Sequence, residues 1–164
     1  MTDEITIENI TPAIAEELCR KITADLPEYF GFPEVNEHYA IGVRSRINVA
    51  AKIKANYVGL ISFEYQYPGN ANIYWMAVLR SFQQKSIGKM LAEAAFEHAK
   101  LKGANTITVE TLAPFESDEN YLKTYKFYEY MGFAPLFNLK PDGYEWNMVY
   151  MSKVLDTSRS KTAN

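Results

Sequence analysis

Val78-Leu79-Arg80-Ser81-Phe82-Gln83-Gln84-Lys85-Ser86-Ile87-Gly88-Lys89 is the stretch on which the fold turns. Upstream, Asn72 to Leu79 reads as a strand. Downstream, Ile87, Met90, Leu91, Ala94, Ala95 and His98 recur at helical spacing until Gly103. The junction breaks two local rules. Gly88 falls in the first turn of a helix, where glycine costs ~1 kcal/mol relative to alanine, so a ligand or another backbone is expected close by. Lys85 and Lys89 put cations at a helix N-terminus, against the macrodipole, at ~0.3–1 kcal/mol each when exposed. A bound phosphate reverses that sign: amides of the first turn donate to its oxygens, the Ser86 hydroxyl adds a donor, and the lysines neutralise charge. The plainer alternative makes Ser86 an ordinary N-cap with both lysines in water. A P-loop is excluded, because Gln83 stands where its first glycine belongs and Met90 where its Ser or Thr belongs. A dinucleotide fingerprint needs three glycines, and this segment has one.

Working outward, Glu4 to Ile10 alternates like a strand. Thr11-Pro12 then supplies an N-cap and a first-turn proline for a helix carrying Ile14, Leu18, Cys19 and Ile22 on one face and stopping before Pro27. The next segment mixes Tyr29, Phe30, Phe32 and Tyr39 with turn residues and charges, predicting a short helix among aromatic-rich loops. Ile47 to Lys54 and Tyr57 to Tyr67 read as a hairpin joined at Ala55-Asn56, with a turn at Pro68-Gly69-Asn70. Beyond Gly103, Thr106 to Leu112 is a strand and Asn120 to Met131 a helix, stopped by Gly132 where a left-handed cap is wanted. Phe133 to Leu139 and Glu145 to Val154 complete the chain around a turn at Lys140-Pro141-Asp142-Gly143. Strand, helix, hairpin, strand, helix, strand, helix, two strands predicts an α/β protein: a mixed sheet with helices packed on its faces. The expected organisation is one domain over residues 1–155, with residues 156–164 a disordered polar tail.

Composition narrows the chemistry. The 164 residues are 48% hydrophobic, in short periodic groups, and no run approaches the ~20 apolar residues of a membrane span. The acidic start, Met1-Thr2-Asp3-Glu4, does not read as a signal peptide, and cytoplasmic residence is the expectation. Cys19 has no second cysteine with which to form a disulfide or a zinc site. It reads as a small buried hydrophobe, and no metal is expected. A net charge of −3 argues against general affinity for nucleic acid or anionic membranes, leaving a small-molecule or peptide partner.

The stretch from Val78 to Lys89 resembles a known pattern. Val78 at a strand end, followed by Gln83-x-x-Ser86-x-Gly88 opening a helix, is similar to the acetyl-CoA motif of the GNAT acetyltransferase superfamily, Arg/Gln-x-x-Gly-x-Gly/Ala, with Ser86 replacing the first glycine. Phe127-Tyr128-Glu129-x-Met131-Gly132-Phe133 is similar to the helix-to-strand motif that follows it. The resemblance is strong from about Val58 onward and weak before Ile47. It implies a GNAT-like fold of about seven mostly antiparallel strands with helices on both faces. It also implies acetyl-CoA as co-substrate and direct transfer of acetyl to a primary amine of a small molecule or peptide, through a tetrahedral intermediate.

The resemblance implies roles too. Met76, Ala77 and Val78 would hold pantetheine through their backbones; Gln83, Gln84, Lys85, Ser86, Ile87, Gly88 and Lys89 would hold the pyrophosphate. Tyr121 stands where relatives carry an asparagine that touches the cofactor. Tyr128 matches the general acid beside the CoA sulfur. Its ordinary pKa of ~10 lies above the ~8.5 of a thiol, so its value lies in hydrogen bonding to the developing thiolate. For the base, relatives use a carboxylate where Asn72 stands; Glu110, Glu64 and His38 are the candidates here, with Glu110 preferred. His98 reads as a core-edge residue. The departures at Asn72, Ser86 and Tyr121 keep open a second reading, a non-catalytic acyl-CoA binding or sensing module. A third reading is an interaction domain with no ligand. Family members are often dimers, and a homodimer stays open.

Overall fold

A computed structural model describes residues 3–156. Residues 1–2, and the predicted tail from residue 157 on, lie outside the described residues. The strands form one seven-stranded sheet in the order β1-β2-β3-β4-β5-β7-β6. Its elements are β1 (Ile5–Asn9), α1 (Pro12–Asp25), α2 (Pro33–Gly42), β2 (Ile47–Ile53), β3 (Asn56–Tyr67), β4 (Asn70–Val78), α3 (Ile87–Leu101), β5 (Thr106–Leu112), α4 (Glu119–Tyr130), β6 (Ala134–Leu139) and β7 (Met148–Val154). The chain divides into two compact units. The first takes the chain to Glu64 and then Tyr74–Ala95; the second takes Tyr65–Ile73 and the chain from Phe96. β3, β4 and α3 each have residues in both.

In the first unit, β1 pairs antiparallel with β2 and β2 with β3. Thr11 caps α1 as its sequence predicts, its hydroxyl accepting from the Ile14 amide at 3.3 Å. Ala15, Leu18, Cys19 and Ile22 are buried, and full burial of residues such as Leu18 and Ile22 contributes roughly 1.5–3 kcal/mol each. β3 is buried without a break from Val58 to Phe63, so both faces of the sheet are covered there. One cover is α3: a Cβ added at Gly59 would lie 3.1 Å from Leu91, 3.3 Å from Ile87 and 3.3 Å from Val78.

In the second unit, β4 pairs parallel with β5 over four residues, Asn70–Ile73 against Thr106–Val109. β5 pairs antiparallel with β7, and β7 with β6. Asp118 caps α4 by accepting from the Tyr121 amide. Gly132 ends the helix at φ 97°, a left-handed conformation that favours glycine, and a Cβ there would have to displace the Lys153 ammonium, 2.5 Å away. β6 is exposed along its length at the sheet edge. Pro135, beside a register shift, interrupts the pairing pattern there.

Several element boundaries differ from the sequence reading. The β2–β3 turn is Lys54-Ala55, with Lys54 left-handed at φ 57°, and Asn56 already pairs with Ile53. β4 starts at Asn70 because Asn70 joins the β5 ladder through Thr106. β7 starts at Met148, since its ladder partner Leu112 is the last residue of β5.

Candidate functional site

β4 continues past Ile73, its last residue in the second unit, through Tyr74–Val78 in the first. Met76 and Ala77 are half-buried there and Val78 is buried. A single 3₁₀ turn, Arg80–Phe82, leads from the strand into the loop. The Gln83 carboxamide donates to the Val78 carbonyl at 3.0 Å and closes the loop onto the strand it leaves. Arg80 fastens the loop from outside: its amide donates to Asp25 Oδ2 at 2.7 Å, and its guanidinium to the Asp25 carbonyl at 3.0 Å and Glu28 Oε2 at 2.7 Å. Beside this anchor a surface cleft of about 400 Å³ is lined by Lys21, Ala24, Asp25, Leu79, Ser81 and Phe82.

Two loop residues have left-handed backbone without being glycine: Gln84 at φ 60° and Ser86 at φ 64°. Such a conformation costs an L-residue about 1–2 kcal/mol and points to a local requirement. Left-handed residues followed by right-handed helix turn successive amides toward a common point, an anion-binding nest. The first rung of α3 runs from the Met90 amide to the Ser86 carbonyl at 3.0 Å, so the amides of Ile87, Gly88 and Lys89 precede the helical ladder. Ile87 is buried and anchors the helix start. Gln84, Lys85, Ser86 and Lys89 are exposed. Lys85 Nζ lies 5.5 Å from the Phe82 ring, and Lys89 Nζ lies 4.0 Å from Glu93 one turn along. That exposed pair is a weak one.

The second unit holds the predicted catalytic pair. Tyr128 on α4 is 5% exposed, edge-on to Phe127 and Phe133 with ring centroids 5.5 Å away in each case. Burial raises its hydroxyl pKa well above the ordinary value, so the phenol stays protonated. Tyr121 is half-buried in the first turn of α4. Glu110 follows Val109, which pairs with Ile73 on β4. Directly across on β7, the Tyr150 hydroxyl donates to it; burial first, then that bond, pushes the Tyr150 pKa up to about 12. Tyr150 had no signal in the sequence, because only the β5–β7 register places it beside Glu110.

Glu64 is ion-paired with Arg46, whose guanidinium lies 3.5 Å over the Tyr74 ring and donates to the Gly42 carbonyl at 2.5 Å. His38 is exposed on α2. Asn72 Oδ1 accepts from the Thr108 hydroxyl at 2.9 Å. His98 Nδ1 is hydrogen-bonded to the Tyr65 hydroxyl at 2.8 Å, and burial followed by Lys102 lowers its pKa. Cys19 is fully buried, which pushes its thiol up to about 12 and leaves it without nucleophilic character near neutral pH. Among the described residues no cluster of His, Cys, Asp or Glu could hold a metal ion, and no helix is long and apolar enough to cross a membrane.

With this geometry in place, comparison with known proteins assigns the class. The profile of the acetyltransferase (GNAT) family matches residues 13–133, and the chain belongs to that family. No curated protein matches the chain by sequence. Solved structures share its fold. A Desulfovibrio desulfuricans protein described as an acetyltransferase of the GNAT family superposes with a TM-score of 0.79 at 18% identity, covering 93% of this chain and 100% of that one. The ribosomal-protein-S18-alanine N-acetyltransferase from Escherichia coli gives 0.74 at 15% identity, over 93% and 95%. An aminoglycoside 6′-N-acetyltransferase in complex with coenzyme A gives 0.70 at 18%, over 92% and 97%. At these identities the likeness is one of fold.

Proposed function

We propose that this protein is an acetyl-CoA-dependent N-acetyltransferase, a single domain that moves acetyl to a primary amine of a small molecule or peptide. The observation that carries the reading is the loop before α3, where Gln84 and Ser86 hold left-handed backbone at the N-terminus of a 15-residue helix. That geometry gives a pyrophosphate several amide donors at once, with Lys85 and Lys89 supplying charge. Extended strand backbone from Met76 to Val78 suits a pantetheine arm. Gln83 acts as a brace for the loop through Val78, and Tyr121 is assigned to the cofactor side. Among proteins of the same fold, one is an aminoglycoside and one a ribosomal-protein N-acetyltransferase, which fits amine acceptors of either kind.

In the reaction the neutral amine attacks the thioester carbonyl, the tetrahedral oxyanion collapses, and CoA thiolate leaves. Tyr128 is assigned to the thiolate. Its raised pKa makes full proton transfer to a thiolate of ~8.5 further uphill, so it acts by donating a hydrogen bond to the developing charge. Glu110 is assigned as base, taking the amine proton through a water, with the Tyr150 hydroxyl orienting its carboxylate. Glu64, neutralised by Arg46, is not assigned.

Calorimetric titration with acetyl-CoA tests the reading, comparing wild type with a Lys85→Glu, Lys89→Glu double variant. Micromolar binding weakened at least tenfold in the variant, together with acetylated product from an amine panel, is expected. Absence of binding to wild type refutes the transferase, and binding with no product from any amine favours an acyl-CoA sensor.

A further inference from the structure

Trp75 lies on β4, one position before the stretch assigned to pantetheine, and is 5% exposed. Its indole nitrogen is buried and meets no hydrogen-bond acceptor among the described residues. An indole N–H can only donate, and a buried donor without an acceptor is costly to keep. Phe30 lies against it, ring centroids 5.4 Å apart and planes tilted by 35°. An N–H aimed into a ring face needs planes closer to perpendicular, so Phe30 covers the indole without accepting from it. Phe30 belongs to the irregular stretch 26–32 between α1 and α2. Its carbonyl accepts from Asn36 Nδ2 at 2.8 Å, and the Oδ1 of the same Asn36 is buried without a donor.

One orphaned donor and one orphaned acceptor therefore belong to the two residues that hold Phe30. Both are neutral. Arg46, stacked on the neighbouring Tyr74, is engaged by Glu64 and the Gly42 carbonyl. Arg20 and Glu37, which line a cleft with Asn36, are paired with each other, so among the described residues a carboxylate would meet no uncommitted cation here and an ammonium group no uncommitted anion. A neutral amide, with one carbonyl and one N–H, matches the pair.

We propose that Trp75 and Asn36 are specificity-determining residues for an acceptor amine that carries an adjacent amide, as a peptide N-terminus does. The indole N–H donates to the amide carbonyl, and Asn36 Oδ1 accepts from the amide N–H. The substrate reaches them where the Phe30 ring turns aside. This rests on the acetyltransferase reading.

The test follows the indole resonances of ¹⁵N-labelled protein, with Trp146→Phe to assign Trp75, during titration with L-alaninamide and separately with propylamine. Alaninamide is expected to move the Trp75 indole proton downfield and saturably; propylamine is expected to leave it in place. With saturating acetyl-CoA, Trp75→Phe should raise the KM for alaninamide about 10-fold, the loss of one buried hydrogen bond, with kcat and the propylamine KM unchanged. A Trp75 resonance unmoved by either compound, or moved equally by both, overturns the proposal. Acetyl-CoA binding alongside a silent Trp75 resonance overturns the amide site alone. A Trp75 response to alaninamide without acetyl-CoA binding supports the amide site and removes the transferase reading.

Discussion

Gly42→Ala should destabilise the protein although it removes a glycine from the last turn of α2. A methyl at Gly42 would lie 2.1 Å from the Tyr74 hydroxyl oxygen and 2.8 Å from Cζ. The Tyr74 ring cannot swing away freely: the Arg46 guanidinium lies 3.5 Å above it, and Tyr39 packs against its edge at 5.8 Å and 71°. Displacing it weakens a cation–π contact of ~0.5–2 kcal/mol and an aromatic pair of ~0.5–1.5 kcal/mol. Alanine returns at most ~1 kcal/mol of helix propensity, and less at a helix end. The net loss is about 1–2 kcal/mol, a fall in Tm of roughly 3–8 °C for a chain of this size. Urea unfolding of wild type, Gly42→Ala, Tyr74→Phe and the double variant measures it as a cycle. Tyr74→Phe deletes the atom at 2.1 Å, so it should recover at least half the loss. A neutral Gly42→Ala, or a double variant in which the two losses simply add, refutes the argument.

Three further outcomes are expected. Gly132→Ala should cost about 1–2 kcal/mol in chemical unfolding, because alanine must adopt φ 97° with its methyl against the Lys153 ammonium; an unchanged midpoint would contradict it. His98 has a folded pKa below its unfolded value near 6.5, so the unfolded chain takes up the proton first as pH falls. Stability should therefore decline from about pH 6.5 downward until the folded pKa is passed, and His98→Gln should flatten that decline; identical slopes would exclude His98 as the cause. At Ser86, φ 64° tolerates glycine but strains a β-branched residue: Ser86→Gly should stay within about 1 kcal/mol of wild type and Ser86→Val lose about 1–2 kcal/mol. Equal midpoints for the two would show that the loop relaxes out of the left-handed region.

Local features were legible in the sequence because their causes are local. The Thr11 hydroxyl and Pro12 set the start of α1, Gly103 and Gly132 close α3 and α4, and the alternation of β5 follows from side chains on a pleat. The loop motif was legible for the same reason: its residues are contiguous, and its oddity is a conflict between Gly88, two lysines and a helix start. Even there the conformation was not. That Ser86 keeps the left-handed backbone its glycine counterpart would adopt, and that Gln84 does too, is imposed by the closure of the loop through Gln83 and Val78.

Pairings across the sheet were decided by tertiary structure alone. Glu64 could be read as a base until β3 brought it to Arg46, which lies 18 residues earlier in the chain. Glu110 met Tyr150 only through the β5–β7 register. Trp75 read as one more aromatic, because a missing hydrogen-bond partner is a property of everything packed around an atom and no spacing in a sequence encodes it. The chain by itself determined its elements, its α/β class and the unusual loop before α3, since backbone propensity and periodicity act over a few residues. Only the folded sheet decided which polar groups are satisfied and which are left over, because a hydrogen bond depends on distances that long-range packing sets.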